Sequence, residues 1–268
     1  MPSSHSRLDF IPLKQGRSLI AGYSMAKAKT DQWVVFLPES ASEFRYGDRQ
    51  ELESFVGRRV ARSFNFLVVN KPGLEPDSVD RALFEQSFRR QRRIDDALIV
   101  LKRLIPKNHA IHILGYSEGA YLAPQVAKRD KRVKTVSMIG GGTRGWLKEE
   151  LSTATNRERK SFERKIKDIY RHPHSLARWN GFSYATWYSY RADTTLQALR
   201  SLKLPTLAIL GARDRVIDLR ATIVDLVLIS ERQPTHIHIF GDCGHHFTKH
   251  WPQVERVLGR FLKDTVLR

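Results

Sequence analysis

The run His109–Gly119, H-A-I-H-I-L-G-Y-S-E-G, constrains the fold of this chain more than any other stretch. Ala110–Leu114 is short, apolar and rich in β-branched residues, the pattern of a buried strand. Gly115-Tyr116-Ser117-Glu118-Gly119 follows at once, and Ala120–Lys128 then reads as a helix. A strand that turns directly into a helix through G-x-S-x-G has little room at the turn. Both glycines are required because a side chain at either would strike the neighbouring strand or helix, and the serine is forced into a strained backbone conformation. The turn lifts the Ser117 hydroxyl clear of the sheet and leaves the Glu118 N–H at the first helical turn without an intrahelical acceptor. Pro124 is expected early in that helix, where a missing N–H costs little.

The rest of the chain supplies strands and helices in alternation. Phe10–Leu13 and Ser18–Tyr23, joined through Gln15-Gly16, read as an antiparallel hairpin. Trp33–Leu37 is a buried strand that exits into Pro38-Glu39-Ser40-Ala41-Ser42, and Glu51–Ser63 reads as a helix. Asn65–Val69 is the next buried strand. A helix is expected from Asp80 to Ile105, with Ile94, Leu98, Leu101 and Ile105 on its apolar face, Arg89, Arg90, Arg92 and Arg93 on its solvated face, and Pro106 at its end. Val133–Ile139 is a strand that leaves through Gly140-Gly141-Gly142, read as a flexible exit because a phosphate-cradling loop would continue into Gly-Lys-Ser/Thr. Strand signals then vanish between Arg144 and Leu202, a charged, aromatic-rich and helical stretch. They resume at Pro205–Leu210 and His236–Phe240, with helices at Leu219–Ile229 and Trp251–Leu262.

This alternation predicts an α/β fold, a mainly parallel twisted sheet covered by helices on both faces, with a helical insertion. In such sheets ligands gather at the carboxyl ends of strands. Ser117, Asp214 and His245 each stand just after a predicted strand, in the order Ser…Asp…His. With Gly115-Tyr116-Ser117-Glu118-Gly119, Gly211-Ala212-Arg213-Asp214 and Gly244-His245, the chain resembles the α/β-hydrolase fold superfamily over nearly its whole length. The resemblance implies a core of residues 1–143 and 203–268 and a lid of residues 144–202. It implies a serine hydrolase that cleaves a carboxylic ester or related acyl bond through an acyl-enzyme. Ser117 would be the nucleophile, His245 the base and then the acid, and Asp214 the group that orients the imidazole. His246 competes with His245; Asp218, at a helix N-cap position, and Asp242, in a turn, compete with Asp214.

The resemblance also implies two backbone N–H groups that stabilise an oxyanion. Glu118 supplies one. Relatives often carry His-Gly in the loop after the first buried strand, whereas this chain has Pro38-Glu39-Ser40, so Ser40 is the choice for the second donor, with Glu39 behind it, and Pro38 has no N–H to give. The Glu118 side chain reads as a solvated helix-start carboxylate, with contact to a substrate cation as the alternative. Thioesterase and aminopeptidase activities stay open, the latter needing an acidic lid residue such as Glu149 or Glu150, and so does a binding protein that keeps the fold without the chemistry.

Composition narrows the remaining classes. No apolar run reaches the length of a membrane span, and Met1–Phe10 lacks the apolar segment of a signal peptide. A lone cysteine, Cys243, excludes an internal disulfide, and together these predict a cytoplasmic protein. The formal net charge of +18 is spread over many segments without a nucleic-acid-binding motif. A general basic bias explains it, and the sharper alternative is an acidic substrate such as acyl-coenzyme A or an acyl carrier protein. His172 and His174 lack the companions of a metal site and read as surface residues. No cofactor or metal is implied.

Overall fold

The computed structural model describes residues 6–26, 29–40 and 43–266; Met1–His5, Lys27, Ala28, Ala41, Ser42, Leu267 and Arg268 lie outside them. In chain order the elements are β1 (Ser6–Pro12), β2 (Ser18–Ser24), β3 (Gln32–Leu37), α1 (Arg49–Val56), α2 (Arg58–Ala61), β4 (Asn65–Val69), α3 (Arg81–Ser87), α4 (Arg90–Leu104), β5 (Ala110–Tyr116), α5 (Glu118–Arg129) and β6 (Val133–Ile139). Then come α6 (Trp146–Thr153), α7 (Asn156–Arg171), β7 (Arg178–Trp179), β8 (Phe182–Ser183), α8 (Tyr184–Ser189), α9 (Thr194–Ser201), β9 (Thr206–Gly211), α10 (Leu219–Ser230), β10 (Thr235–Phe240) and α11 (Trp251–Val266).

Eight strands form one sheet in the order β1-β2-β4-β3-β5-β6-β9-β10. The β1–β2 and β2–β4 pairings are antiparallel and every other pairing is parallel. Strands buried on both faces need apolar residues at consecutive positions, as β4 has over residues 66–69 and β9 over residues 207–210. Adjacent residues then feed opposite cores. Val35, Leu67 and Ile113 pack with α4 and α5, whereas Val34, Phe66 and Leu114 pack with α1 and α11. Because β3, β5, β9 and β10 run parallel, their carboxyl ends share one edge of the sheet, and the loops that carry Ser40, Ser117, Asp214 and His245 emerge there.

Two helices expected as continuous are broken. The Glu51–Ser63 stretch divides at Gly57, whose φ of 80° is left-handed. α11 crosses at this point so closely that a Cβ on Gly259 would lie 2.5 Å from the Val56 carbonyl oxygen. The Asp80–Ile105 stretch breaks at Phe88 and Arg89, the latter in extended conformation. The break lets Phe88 stack between Phe84 and Phe182 in the core, while the Arg89 guanidinium donates to the freed Glu85 and Phe88 carbonyls and to Thr186 Oγ1.

Other local expectations also change. Pro124 lies in the second turn of α5, so its missing N–H removes a hydrogen bond that the first turn would never have made. Gly140–Gly142 is packed and not a flexible exit: a Cβ on Gly141 would lie 2.3 Å from the Ala120 Cβ, and one on Gly142 would lie 2.1 Å from Glu149 Oε1. The stretch from 144 to 202 is not wholly helical, since β7 and β8 pair as a short hairpin.

Within the sheet, His112 on β5 is buried between Thr135 on β6 and Gln32 on β3, at 3.0 and 2.9 Å. Burial lowers its pKa from 6.5 to about 4, assisted by the Lys134 charge. The unfolded chain therefore binds a proton that the folded chain refuses between these two values. The stability that neutral His112 contributes is complete above pH 6.5 and is lost as the pH falls toward 4. Urea unfolding of the native chain, referenced to His112→Gln, is expected to show a relative loss of about 2 kcal/mol between pH 7.5 and pH 5.

Candidate active site

Ser117 sits at the junction of β5 and α5 with φ 51° and ψ −113°, a conformation outside the normal regions for a side-chain-bearing residue. The surroundings enforce it. A Cβ on Gly115 would lie 2.3 Å from the Gly119 carbonyl oxygen, and one on Gly119 would lie 1.8 Å from that of Leu37. The Ser117 N–H donates to Ile139 O at 2.8 Å, which ties the turn to β6. The side chain is thereby pushed above the sheet edge, as the glycine spacing predicts.

Ser117 Oγ lies 2.8 Å from His245 Nε2, and His245 Nδ1 lies 2.8 Å from Asp214 Oδ2. The second carboxylate oxygen of Asp214 accepts the Val216 N–H at 2.8 Å, which fixes the plane of the carboxylate. The loops that bring Asp214 and His245 together are in close contact. Arg213 N–H donates to Cys243 O at 2.8 Å, and a Cβ on Gly211 would lie 2.6 Å from the carbonyl oxygens of Cys243 and Gly244. The Tyr116 ring stacks near the His245 ring at 6.4 Å.

The competing residues have other partners or none. Asp218 caps α10 through the Ala221 N–H, and Asp242 pairs with His250 Nε2 at 2.8 Å. His246 meets the His245 ring edge-on at 5.4 Å and makes no hydrogen bond among the described residues. His172 is exposed at the end of α7, bonded to Asp168. Among the described residues no three His, Cys, Asp or Glu side chains gather as a metal ion would require.

Ser40 and Glu118, the two residues expected to offer backbone donors, line the same cavity as Ser117 and His245. Neither of their N–H groups has an acceptor among the described residues. Two open donors beside a serine–imidazole pair can take up negative charge on an oxygen attached to the attacked carbon.

No known family profile matches the sequence, and no curated protein matches it. Solved structures do. The chain is similar to an acylaminoacyl peptidase of Pyrococcus horikoshii, with a TM-score of 0.70 and 18% identity over 97% of this chain, although it spans only 41% of that protein. An esterase of Pyrococcus furiosus superposes with a TM-score of 0.64 and 15% identity over 97% of this chain and 91% of its own. The mouse alpha/beta hydrolase domain-containing protein 10 gives 0.65 and 14%, over 96% and 99%. The chain has the α/β-hydrolase fold.

Between β6 and β9 the chain contributes Trp146, Glu149, Glu150, Phe182 and Trp187 to the lining of the cavity that holds Ser117. A larger cleft of about 260 Å³ adjoins, sharing Ser40 and Phe182 with the first. Phe84, Phe88 and Phe182 wall this cleft, and Arg81 and Arg178 stand at it. Glu149 is buried and both its carboxylate oxygens already accept backbone N–H groups, those of Arg144 and Asp218. Burial raises its pKa to about 7. It joins the β6 exit to the loop after β9.

The Glu118 side chain corrects its sequence reading. It is buried, accepts the Tyr190 hydroxyl and pairs with Arg93 Nε at 3.7 Å. Arg93, expected on a solvated face, is buried as well and donates to Asn70 O at 3.1 Å. Lys71 joins the group at the end of β4, where burial, reinforced by the Arg93 charge, lowers its pKa to about 7. Helical spacing alone cannot separate Arg93 from its half-buried neighbours Arg90 and Arg92. Lys71 did carry a signal, a charged residue two positions after the apolar run of residues 66–69.

Proposed function

We propose that the chain is a serine hydrolase that cleaves a carboxylic ester or related acyl bond through an acyl-enzyme. The observation that carries this reading is the unbroken line Ser117 Oγ–His245 Nε2–His245 Nδ1–Asp214 Oδ2, at 2.8 Å for each hydrogen bond. His245 Nε2 takes the Ser117 proton as Oγ attacks the acyl carbon, and Asp214 stabilises the imidazolium that results. The carbonyl oxygen becomes an oxyanion held by the N–H groups of Glu118 and Ser40. Collapse of the adduct breaks the bond to the leaving group, which takes the proton from His245. Water, deprotonated by the same imidazole, then releases the acid and restores Ser117. Similarity to proteins named as esterases and as an acylaminoacyl peptidase supports an acyl substrate.

Residues 144–202 act as the lid in this reading, supported by their share of the cavity wall. The aromatic cleft beside Ser40 would receive the apolar part of the substrate. Arg81, exposed and without a partner among the described residues, favours a substrate with an acidic group, such as an acyl thioester of coenzyme A or of an acyl carrier protein. A cytoplasmic setting is supported by the lone, buried Cys243. Among the described residues no helix is long and apolar enough to cross a membrane.

A fluorophosphonate probe tests the reading directly. The native chain is expected to gain one phosphonyl group, mapped by peptide mass to Ser117, and to lose hydrolysis of short aryl esters in step. A folded chain that stays unlabelled and inert toward aryl esters and acyl thioesters would point instead to a binding protein.

A further inference from the structure

We propose that Lys71 is a positioning residue for the oxyanion site, holding the Glu39–Ser40 peptide so that the Ser40 N–H faces Ser117. This rests on the hydrolase reading above. Lys71 is 1% exposed and its Nζ donates to the Glu39 carbonyl oxygen at 2.5 Å. That oxygen and the Ser40 N–H belong to one peptide group, which is planar and trans, so they point to opposite sides. Drawing the oxygen inward to Lys71 turns the N–H outward, and Ser40 lines the cavity that holds Ser117 and His245.

The grip on this loop is built at several points. The Glu39 carboxylate accepts from Arg45 at 3.0 Å. Arg45 is held in turn by the Asn70 side chain, which accepts its N–H at 2.9 Å and donates to its carbonyl at 2.8 Å. Asn70 and Lys71, consecutive residues at the exit of β4, therefore fix the loop at the exit of β3. The same group reaches the second donor, because Arg93 binds Asn70 O and pairs with the side chain of Glu118. Both peptides expected to bind the oxyanion are thus tied to one buried set of charges. An apolar side chain at position 71 would fill the space without the cost of burying an amine. What it could not supply is the donor to Glu39.

The test compares the native chain with Lys71→Met, which keeps an unbranched side chain one atom shorter and removes the donor. On an aryl ester kcat is expected to fall about 10²- to 10³-fold, with KM changed less than about threefold. A trifluoromethyl ketone that forms a tetrahedral adduct on Ser117 should lose affinity in parallel, while a carboxylic acid product should bind as before. A folded Lys71→Met chain with native kcat and native ketone affinity would overturn the proposal. So would a variant in which ketone, product and KM all weaken together, the mark of general loosening. The native chain gives a check that does not depend on folding of the variant: the Ser40 amide proton should shift downfield in the NMR spectrum when the ketone adduct forms, and an unmoved Ser40 resonance would refute the proposal. Absence of fluorophosphonate labelling in the native chain would instead remove the hydrolase reading itself.

Discussion

Replacing Ser117 with alanine is expected to lower kcat on an aryl ester by about 10⁶-fold, and His245→Ala by a similar factor. Combining the two should add almost nothing, because each removes the same nucleophile: an imidazole without the hydroxyl has nothing to activate, and the hydroxyl without the imidazole is too weak. Asp214→Asn is expected to cost about 10⁴-fold for a different reason. The Val216 N–H will hold the remaining amide oxygen in place of Asp214 Oδ1, which turns the amide NH₂ toward His245 Nδ1. That donor favours the tautomer with the proton on Nε2, so the ring would offer Ser117 a donor where it needs an acceptor. Steady-state kinetics on the three variants, with circular dichroism to establish folding, checks the series. Retention of activity within about tenfold in Ser117→Ala would exclude the proposed mechanism.

The parts of this arrangement that were legible in the sequence are those governed by local rules. The apolar runs of β3, β4, β5 and β9 announce strands buried on both faces, and Gly115 and Gly119 announce a turn with no space for a side chain. Once those strands are parallel, the residues after them must share an edge, so the meeting of Ser117, Asp214 and His245 follows from topology. What depends on long-range packing was not legible. Phe88 sits at a helix-compatible position, yet the aromatic side chains of Trp146, Phe182 and Tyr190, far along the chain, draw it inward and break the helix. Arg93 and Glu118 each read as solvated charges when taken alone, and their burial makes sense only as a pair contributed by α4 and α5. A polar residue after a buried strand, as Lys71 is, was the one available hint of the charged layer beneath the site.

That charged layer should be the most sensitive point in the fold outside the apolar core. Glu118→Ala is expected to destabilise the chain by about 3–5 kcal/mol, because it strands a buried guanidinium. The two charges that remain do not respond alike. Lys71 is already brought to about 7 and can shed its proton near neutral pH, whereas a guanidinium stays charged, so the penalty falls on Arg93. Tyr190 also loses its acceptor. The double replacement Glu118→Leu with Arg93→Met removes both charges together and keeps the volume, and it is expected to recover more than half of the loss. Thermal unfolding should show the single variant melting roughly 10 °C below the native chain, with the double variant between them. If the double variant is less stable than Glu118→Ala, the pair stabilises the fold through its hydrogen bonds to Asn70 and Tyr190 more than it burdens it through desolvation. Even then the backbone donor of position 118 survives, so a folded Glu118→Leu/Arg93→Met chain should still take the fluorophosphonate label at Ser117, which separates what the side chain does for the fold from what the peptide does for the chemistry.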